Sequence, residues 1–359
     1  MEGENQTSAS EFILLGLSSQ PERQELIFGL FLVMYLAGAA GNLLIILAIG
    51  SDSHLLTPMY FFLSNRSLVD FCFISATVPK MLVNIQMQTW SISYGGCLAQ
   101  IYFCILLANM DNFLLTAMAY DRYMAICHPL HYSTMVSLQI CALMLGSSWL
   151  IASLHSLLHT VLMARLEVCA SNVIPYFFCD LIPLLQLSCS NTQLNQLMIL
   201  LVGGLIVLIP FLGILVSYTH IVSAVLKVPS ARGKQKAFST CGSYLTVVLL
   251  FYGTITGVYL NPSSSHSADK ESLASVMYMV VTPMLNPFIY CLRNKDMKGA
   301  LRKLLEGRLY PVGDDSPSQG LCAGNGMNQG QAPHIEGWKN TDLFVLGHHG
   351  QGVLSLLHK

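Results

Sequence analysis

Seven apolar runs, each long enough to cross a bilayer as a helix, constrain this chain more than any other feature. A helix needs roughly 20 apolar residues to span the hydrocarbon layer, and five of the runs contain no charged residue. The second run contains Arg66, Asp70 and Lys80, and the third contains Asp111. The sequence therefore predicts an all-α membrane protein with a seven-helix bundle, whose spans are residues 26–50, 55–83, 97–120, 139–164, 194–226, 237–260 and 272–292.

The composition agrees with a membrane protein. Charged residues make up 10% of the chain and hydrophobic residues 53%, whereas a soluble domain typically carries about 25% charged residues. The formal net charge of −1 argues against nucleic acid as a partner. The first 25 residues lack the basic start and apolar core of a cleavable signal peptide, so we expect the first span to act as a signal anchor.

The basic residues predict the orientation of the bundle. With the N-terminus outside, 14 of the 18 Lys and Arg residues, Arg66 among them, fall on or near the cytoplasmic side, where such residues accumulate beside membrane spans. Asn5 opens an Asn-Gln-Thr glycosylation acceptor that would then lie outside. We therefore expect a multi-pass protein of the plasma membrane with residues 1–25 outside the cell.

Four of the 11 cysteines would lie on the outer side, namely Cys97, Cys169, Cys179 and Cys189. Disulfides persist in that compartment. Four cysteines allow three pairings, among which these residues alone do not choose. We expect the other seven to be packing residues in the membrane or cytosol.

An acid–base–aromatic triplet, Asp121-Arg122-Tyr123, follows the third apolar run, and charges beside a membrane span are costly to keep. The whole string of residues 118–132 closely resembles the signature of the olfactory receptors within the rhodopsin-like (class A) G-protein-coupled receptors. The resemblance runs from roughly Glu11 to Leu305, and its further marks are residues 58–64, 217–218, 236–241 and 283–290.

The resemblance implies a receptor, not an enzyme, which binds an odorant and activates a stimulatory G protein of the olfactory type, raising cyclic AMP. It also implies the disulfide pairs Cys97–Cys179 and Cys169–Cys189. Arg122 would be the switch, paired with Asp121 at rest. On activation it would turn toward the fifth and seventh helices, where a helix-breaking proline would free carbonyls for an asparagine. The implied switch set is Asp121, Arg122, Tyr123, Tyr218, Asn286, Pro287 and Tyr290.

Two residues depart from the family pattern. Tyr244 stands where the family usually has His, and Arg66 stands where it usually has an apolar residue. We expect both to lie toward the cytoplasmic ends of their helices. They would then affect coupling or expression more than ligand binding.

Asp70 and Asp111 are the two carboxylates placed deepest in predicted spans. An isolated ionised carboxylate is too costly to bury without a partner, and two close together would share a proton or recruit a cation. Analogy with related receptors brings them together with Asn42 and Asn286. The expected outcome is a bound sodium ion, and the alternative is a polar network that only specifies helix packing.

The ligand pocket is expected in the outer half of the bundle. Its candidate residues are mostly apolar with a few hydroxyl and amide groups, as is usual for a small-molecule site, so the ligand is expected to be small, neutral and hydrophobic. Ordinary helix packing is the alternative for each position. The candidates are Ile101, Cys104, Ile105, Ala108, Asn109, Val202, Ile206, Tyr252, Ile255, Thr256, Tyr259, Met277 and Tyr278.

Three further features complete the sequence-based expectations. His155 and His159 share a helix face, which favours a polar contact between helices over a metal site, since two ligands are too few for structural zinc. Residues 293–305 carry apolar side chains at helical spacing between basic ones, which predicts an amphipathic helix on the cytoplasmic leaflet. Residues 306–359 are rich in Gly, Gln, Asn and Ser, which is typical of a disordered tail.

Other functional classes find less support. The chain has no inverted repeat of the kind that transporters use, and it has no nucleophile elbow, zinc-protease motif or phosphate-binding glycine loop. A receptor that barely functions stays an alternative, because of Tyr244 and the long tail.

Overall fold

The computed structural model of the chain describes residues 11–17, 20–168, 172–227, 241–242, 244–254, 256, 275–293 and 295–306, and most of these residues are helical. Five helical segments are long and apolar enough to cross a membrane. They are α1 (Pro21–Ser51), α2 (Pro58–Met87), α3 (Tyr94–Cys127), α5 (Leu138–Ala164) and the continuous segment Gln193–Leu226.

Shorter helices account for the rest. The segment Gln193–Leu226 consists of α7, a π-helical turn at Ile199–Gly203, and α8. A second π-helical turn, Met277–Val281, leads into α10. The bounds are α4 (Tyr132–Met135), α6 (Leu181–Gln186), α7 (Gln193–Met198), α8 (Gly204–Leu226), α9 (Tyr244–Thr254), α10 (Thr282–Arg293) and α11 (Lys295–Leu305), with 3-10 turns at Ser53–Leu55 and Pro129–His131.

The first five predicted spans are confirmed as long apolar helices, with bounds that shift by up to about two turns. The third was predicted too short, because α3 continues to Cys127 and includes the Asp121-Arg122-Tyr123 triplet. The sixth and seventh predicted spans extend beyond the described residues. Their described parts contain the shorter apolar helices Tyr244–Thr254 and Met277–Ile289.

Local sequence signals explain where the long helices begin. Proline stands at the first position of α1 and of α2, where its missing N–H would have had no helical partner. Ser93 and Ser137 precede α3 and α5, and their hydroxyls accept hydrogen bonds from the Gly96 and Ile140 amides at 3.2 Å and 3.3 Å.

The outward surfaces of the long helices are apolar. Leu26, Leu143 and Leu200 are each at least 72% exposed, which would be unfavourable in water. These surfaces are suited to contact with lipid.

The core forms where α3 packs against α2, α5 and α8, and where α1 packs against α2 and α10. Close approach of α1 and α10 depends on Gly41, because a Cβ at this position would lie 3.1 Å from the Pro287 Cβ. This contact allows polar side chains of α1 to reach the backbone of α10.

One end of the bundle carries a small three-stranded sheet. Strand β1 (Glu11–Leu14) pairs antiparallel with β2 (Ser91–Ser93) and parallel with β3 (Val173–Ile174). The sequence analysis predicted only that residues 1–25 lie outside the cell and predicted no strand there, because four residues carry too weak a pattern to indicate one. The sheet packs beside the Cys97–Cys179 disulfide, so we call this the disulfide end and the opposite end the Arg122 end.

Several predictions lie outside the described residues. These are glycosylation at Asn5, the pairing partner Cys169, the pocket candidates Ile255 and Tyr259, the side chain of Tyr290, and the tail beyond Glu306.

Candidate functional site

At the Arg122 end, the triplet forms contacts different from those expected. The Asp121 carboxylate is 3% exposed and accepts a hydrogen bond from the Tyr132 hydroxyl at 2.7 Å. Burial and the neighbouring Asp121 raise the pKa of the Tyr132 phenol above its ordinary value, which keeps the donor proton in place. The Arg122 guanidinium instead donates to the Met59 sulfur on α2.

The expected ion pair between Asp121 and Arg122 is therefore not formed. Among the salt bridges of the described residues, none joins these two side chains. Adjacent residues on a helix point in different directions. Asp121 consequently faces the segment with Tyr132, whereas Arg122 faces α2.

Tyr123 lies at a groove of about 340 Å³ between the ends of α3 and α8. Its hydroxyl is 2.9 Å from His128 Nε2, and its ring centroid is 5.8 Å from that of His220. The groove carries mixed apolar and basic groups. It is lined by Tyr123, Ile126, Cys127, His128, His220, Ser223, Ala224 and Lys227.

Tyr218, the switch residue predicted on the fifth span, stacks on Tyr244 of α9 with ring centroids 4.9 Å apart. The Tyr244 hydroxyl donates to the Leu115 carbonyl of α3. Both tyrosines are 5% exposed. Tyr244, which departs from the family pattern, therefore joins α9 to α3 and α8 near the groove.

In the middle of the bundle, the predicted polar residues come together. The Asn286 amide donates to both carboxylate oxygens of Asp70, at 3.1 Å and 2.9 Å. Asn42, Asp70, Asp111 and Asn286 are all at most 3% exposed.

Arg66 is the main correction to the sequence analysis. It was counted near the cytoplasmic side, but its side chain is fully buried among the mid-bundle carboxylates. Its Nε atom lies 4.0 Å from Asp70 Oδ2, and its Nη2 atom lies 3.7 Å from Asp111 Oδ1. Arg66 lies one helical turn before Asp70, so its long side chain reaches the same layer of the bundle.

Prolines inside helices free carbonyls that side chains of neighbouring helices then use. Pro287 has no N–H for the Pro283 carbonyl, and that carbonyl accepts a hydrogen bond from Asn42 of α1 at 3.2 Å. The sequence analysis assigned this role to Asn286. Asn286 instead donates to Asp70, because the close approach of α1 brings Asn42 to the broken ladder.

The same arrangement occurs on α8. Pro210 leaves the Ile206 carbonyl without its helical donor, and Asn112 of α3 donates to that carbonyl at 2.8 Å. The Asn112 side-chain oxygen in turn accepts from the Tyr252 hydroxyl of α9. Asn112 therefore connects three helices through one buried amide.

The side chains of the pocket candidates differ in how deeply they are buried. Ile101, Cys104, Asn109 and Tyr278 are at most 7% exposed, and Tyr278 packs edge-on against Phe73. A second set is half-buried, and Thr256 is exposed. The half-buried set is Ile105, Ala108, Val202, Ile206, Tyr252 and Met277.

The two histidines of α5 make the polar contact between helices that was predicted. His155 Nδ1 is 2.8 Å from the Asn109 amide on α3, and the two histidine Nε2 atoms are 3.0 Å apart. Within the described ranges, no group of three or more His, Cys, Asp and Glu side chains could hold a metal ion.

The disulfide Cys97–Cys179 is confirmed, and it joins the start of α3 to the segment before α6 with a Cα–Cα distance of 5.5 Å. The Cys179 amide also donates to Gln100 Oε1 at 2.8 Å. Cys189 is disulfide-bonded. Its expected partner Cys169 lies outside the described residues, so that pairing stays a prediction.

Comparison with known proteins identifies the family. The sequence model of the olfactory receptor family matches residues 31–308. Olfactory receptor 1f45 of Rattus norvegicus is 61% identical over 308 residues, which cover 86% of this chain and 98% of the relative. Olfactory receptor 1F1 of Homo sapiens is 60% identical over 312 residues, covering 87% of this chain and all of the relative.

This chain belongs to the olfactory receptor family. The resemblance noted in residues 118–132 is thereby confirmed. Membership makes the protein a G-protein-coupled odorant receptor of the membrane and not an enzyme. It also means that the groove beside Tyr123 belongs to a receptor that has a G protein as partner.

Four residues of this olfactory receptor carry contacts that the sequence analysis did not assign. Met59 bonds Arg122, and Tyr132 bonds Asp121. Asn112 joins helices, and Arg66 lies between the buried carboxylates. A signal was available for Asn112, since a proline within a predicted span frees a carbonyl for a nearby polar side chain. For Met59 and Tyr132 the pattern of the chain holds no such signal.

Proposed function

We propose that this receptor binds a small, neutral, hydrophobic odorant in the half of the bundle at the disulfide end. Binding activates a stimulatory G protein of the olfactory type at the Arg122 end, and cyclic AMP rises. The receptor lies in the plasma membrane with its N-terminus outside.

A seven-span bundle is supported by the helices that the chain forms. Five segments are long and apolar enough to cross the membrane, and the shorter apolar helices Tyr244–Thr254 and Met277–Ile289 lie within the sixth and seventh predicted spans. In this proposal those two spans complete the seven crossings, and α11 lies on the inner leaflet. Met297 and Ala300 of α11 are buried, while its Lys298 is exposed, as suits an interfacial helix.

The chemistry at the two ends supports this orientation. Disulfides persist outside the cell, which supports an outer position for the Cys97–Cys179 bond. Lys227 lies at the opposite end and lines the groove there, in agreement with the enrichment of basic residues on the cytoplasmic side.

A neutral apolar ligand is supported by the state of the polar groups near the pocket candidates. The Asn109 amide is bonded to His155, and the Tyr252 hydroxyl is bonded to Asn112. Most of the described candidate side chains left to contact a ligand are apolar, among them Ile105, Val202 and Ile206.

The observation that carries the proposal is the double attachment of α9 to α3. Tyr252 bonds Asn112 at the level of the pocket candidates, and Tyr244 bonds Leu115 nearer the groove. A ligand beside Tyr252 that weakens the first attachment favours an outward movement of α9, which opens the groove. The odorant need only favour the open state by a few kcal/mol.

The test is a cyclic AMP assay with an odorant panel in cells that contain or lack the stimulatory G protein. We expect an odorant-dependent signal only when the G protein is present. Arg122→Ala should abolish the signal while odorant binding persists. Arg302→Ala is the control, because the Arg302 side chain is 80% exposed and pairs with Glu306 directly after the end of α11.

Two results would contradict the proposal. An odorant-dependent current in cells without the G protein would indicate a channel. An Arg122→Ala receptor that signals normally would show that the Arg122 end is not the coupling surface.

A further inference from the structure

Arg66 is the one residue of the mid-bundle cluster that brings a permanent positive charge. It is fully buried in α2, and a charged side chain inside a membrane span is retained only when partners compensate its burial. Its partners are Asp70 on the same helix and Asp111 on α3. Its Nη1 atom also donates to the Asp111 carbonyl at 3.4 Å.

The position of the guanidinium decides whether a sodium ion fits. A sodium ion bound by Asp70 and Asp111 would have to share their carboxylates with a guanidinium that lies 4.0 Å and 3.7 Å from them. Two like charges that close repel strongly in a buried site. The positive charge of Arg66 also offsets one unit of the negative charge that two ionised carboxylates would carry.

The hydrogen-bond donors that already contact Asp70 also argue against a bound sodium ion. Both oxygens of Asp70 accept from Asn286, so a sodium ion would compete with an amide as well as with the guanidinium. The sodium ion expected from the family resemblance therefore does not fit the residues present.

We propose that Arg66 is the resident cation of the Asp70–Asp111 pair, so that no sodium ion binds between α2 and α3 and sodium does not regulate this receptor. A tethered cation cannot leave. The cluster then ties α2 to α3 at every salt concentration, in contrast to a site whose occupancy follows the ion.

Three of the residues expected to bind sodium have an oxygen atom that the hydrogen bonds described above do not use. Asn42 Oδ1, Asp111 Oδ1 and Asn286 Oδ1 are buried and accept no hydrogen bond within the described residues. Oxygen atoms are the ligands that hard cations prefer. Replacement of Arg66 by an apolar residue should therefore uncover a latent sodium site.

The experiment measures the thermal unfolding midpoint of the purified full-length receptor. Sodium chloride is compared with choline chloride at constant ionic strength, so that screening is matched. We expect equal midpoints in the two salts for the natural receptor. For Arg66→Leu we expect a higher midpoint in sodium, with a shift of several degrees at 150 mM that disappears in Arg66→Leu/Asp111→Asn.

Arg66→Lys guards against a variant that fails to fold, because it keeps the charge and should show equal midpoints in both salts. A sodium-specific rise for the natural receptor that Asp111→Asn abolishes would overturn the proposal. A folded Arg66→Leu receptor with equal midpoints would overturn the latent site. The measurement requires neither odorant nor G protein, so its outcome is independent of the signalling test above.

Discussion

The phenol ring of Tyr244 lies flat on the ring of Tyr218, with an angle of 6° between their planes. The stack joins α9 to α8, and the Tyr244 hydroxyl joins α9 to the Leu115 carbonyl of α3. A residue that departs from the family pattern thus holds three helices together beside the groove where the G protein is proposed to bind.

Tyr244→Phe should raise signalling in the absence of odorant. The variant keeps the aromatic stack and loses one hydrogen bond of about 1 kcal/mol, which corresponds to a roughly five-fold shift toward the open state. The measurement is basal cyclic AMP normalised to surface expression. Tyr120→Phe on α3 is the matched control and should leave basal cyclic AMP unchanged. Equal basal levels in both variants would show that the Leu115 contact does not hold α9.

Asn112→Ala should lower the free energy of unfolding by about 1–3 kcal/mol, since it leaves the Ile206 carbonyl and the Tyr252 hydroxyl without their partner. The check is a double-mutant cycle with Pro210→Ala, measured by thermal unfolding in detergent. Alanine at 210 restores a helical N–H for the Ile206 carbonyl. The cost of Asn112→Ala should then fall by about 1 kcal/mol; an unchanged cost would indicate that the freed carbonyl is not the reason for the bond.

Phe12→Ala should destabilise the disulfide end. The Phe12 side chain is fully buried in β1, and removal of such a ring costs about 3 kcal/mol or more. Ile13→Ala is the matched control in the same strand, because Ile13 is 39% exposed and should change stability by less than about 0.5 kcal/mol. Thermal unfolding of the two purified variants makes the comparison. Similar midpoints would mean that β1 does not pack as described.

The contact between Asp52 and Lys303 should persist at every physiological pH. Lys303 Nζ lies 2.9 Å from Asp52 Oδ2, and hydrogen bonds from Lys303 and His54 lower the pKa of Asp52 to about 2. A carboxylate with a lowered pKa in the folded state stabilises that state above its unfolded pKa of about 4, and the stabilisation is lost as the pH falls toward 2.

A spin label at Leu305, at the exposed end of α11, reports this contact. Its mobility should stay constant from pH 8 to pH 5 in the natural receptor and should rise in Asp52→Asn. Lys298→Gln on the same helix is the control and should behave like the natural receptor. A change in mobility near neutral pH in the natural receptor would contradict the assignment.

Local patterns in the chain determined the helices and their ends. Apolar runs of bilayer length indicated the spans, and capping residues such as Ser93 and Ser137 mark where helices begin, because these signals depend only on neighbouring residues. The family motifs around Arg122 were also readable, and the resemblance that they carry implied the pair Cys97–Cys179. The sheet at the disulfide end was not, because pairing of Glu11–Leu14 with two distant segments leaves no mark in four residues.

Only the tertiary structure decided which polar groups meet. Arg66, Asp70 and Asp111 reach one layer because α2 and α3 are rotated so that these faces oppose each other, and no periodicity within one helix encodes the rotation of its neighbour. Likewise, Pro287 shows that a carbonyl is free, but the approach of α1 decides that Asn42 takes it. Partners that are far apart in sequence are set by packing, which is a property of all the helices together.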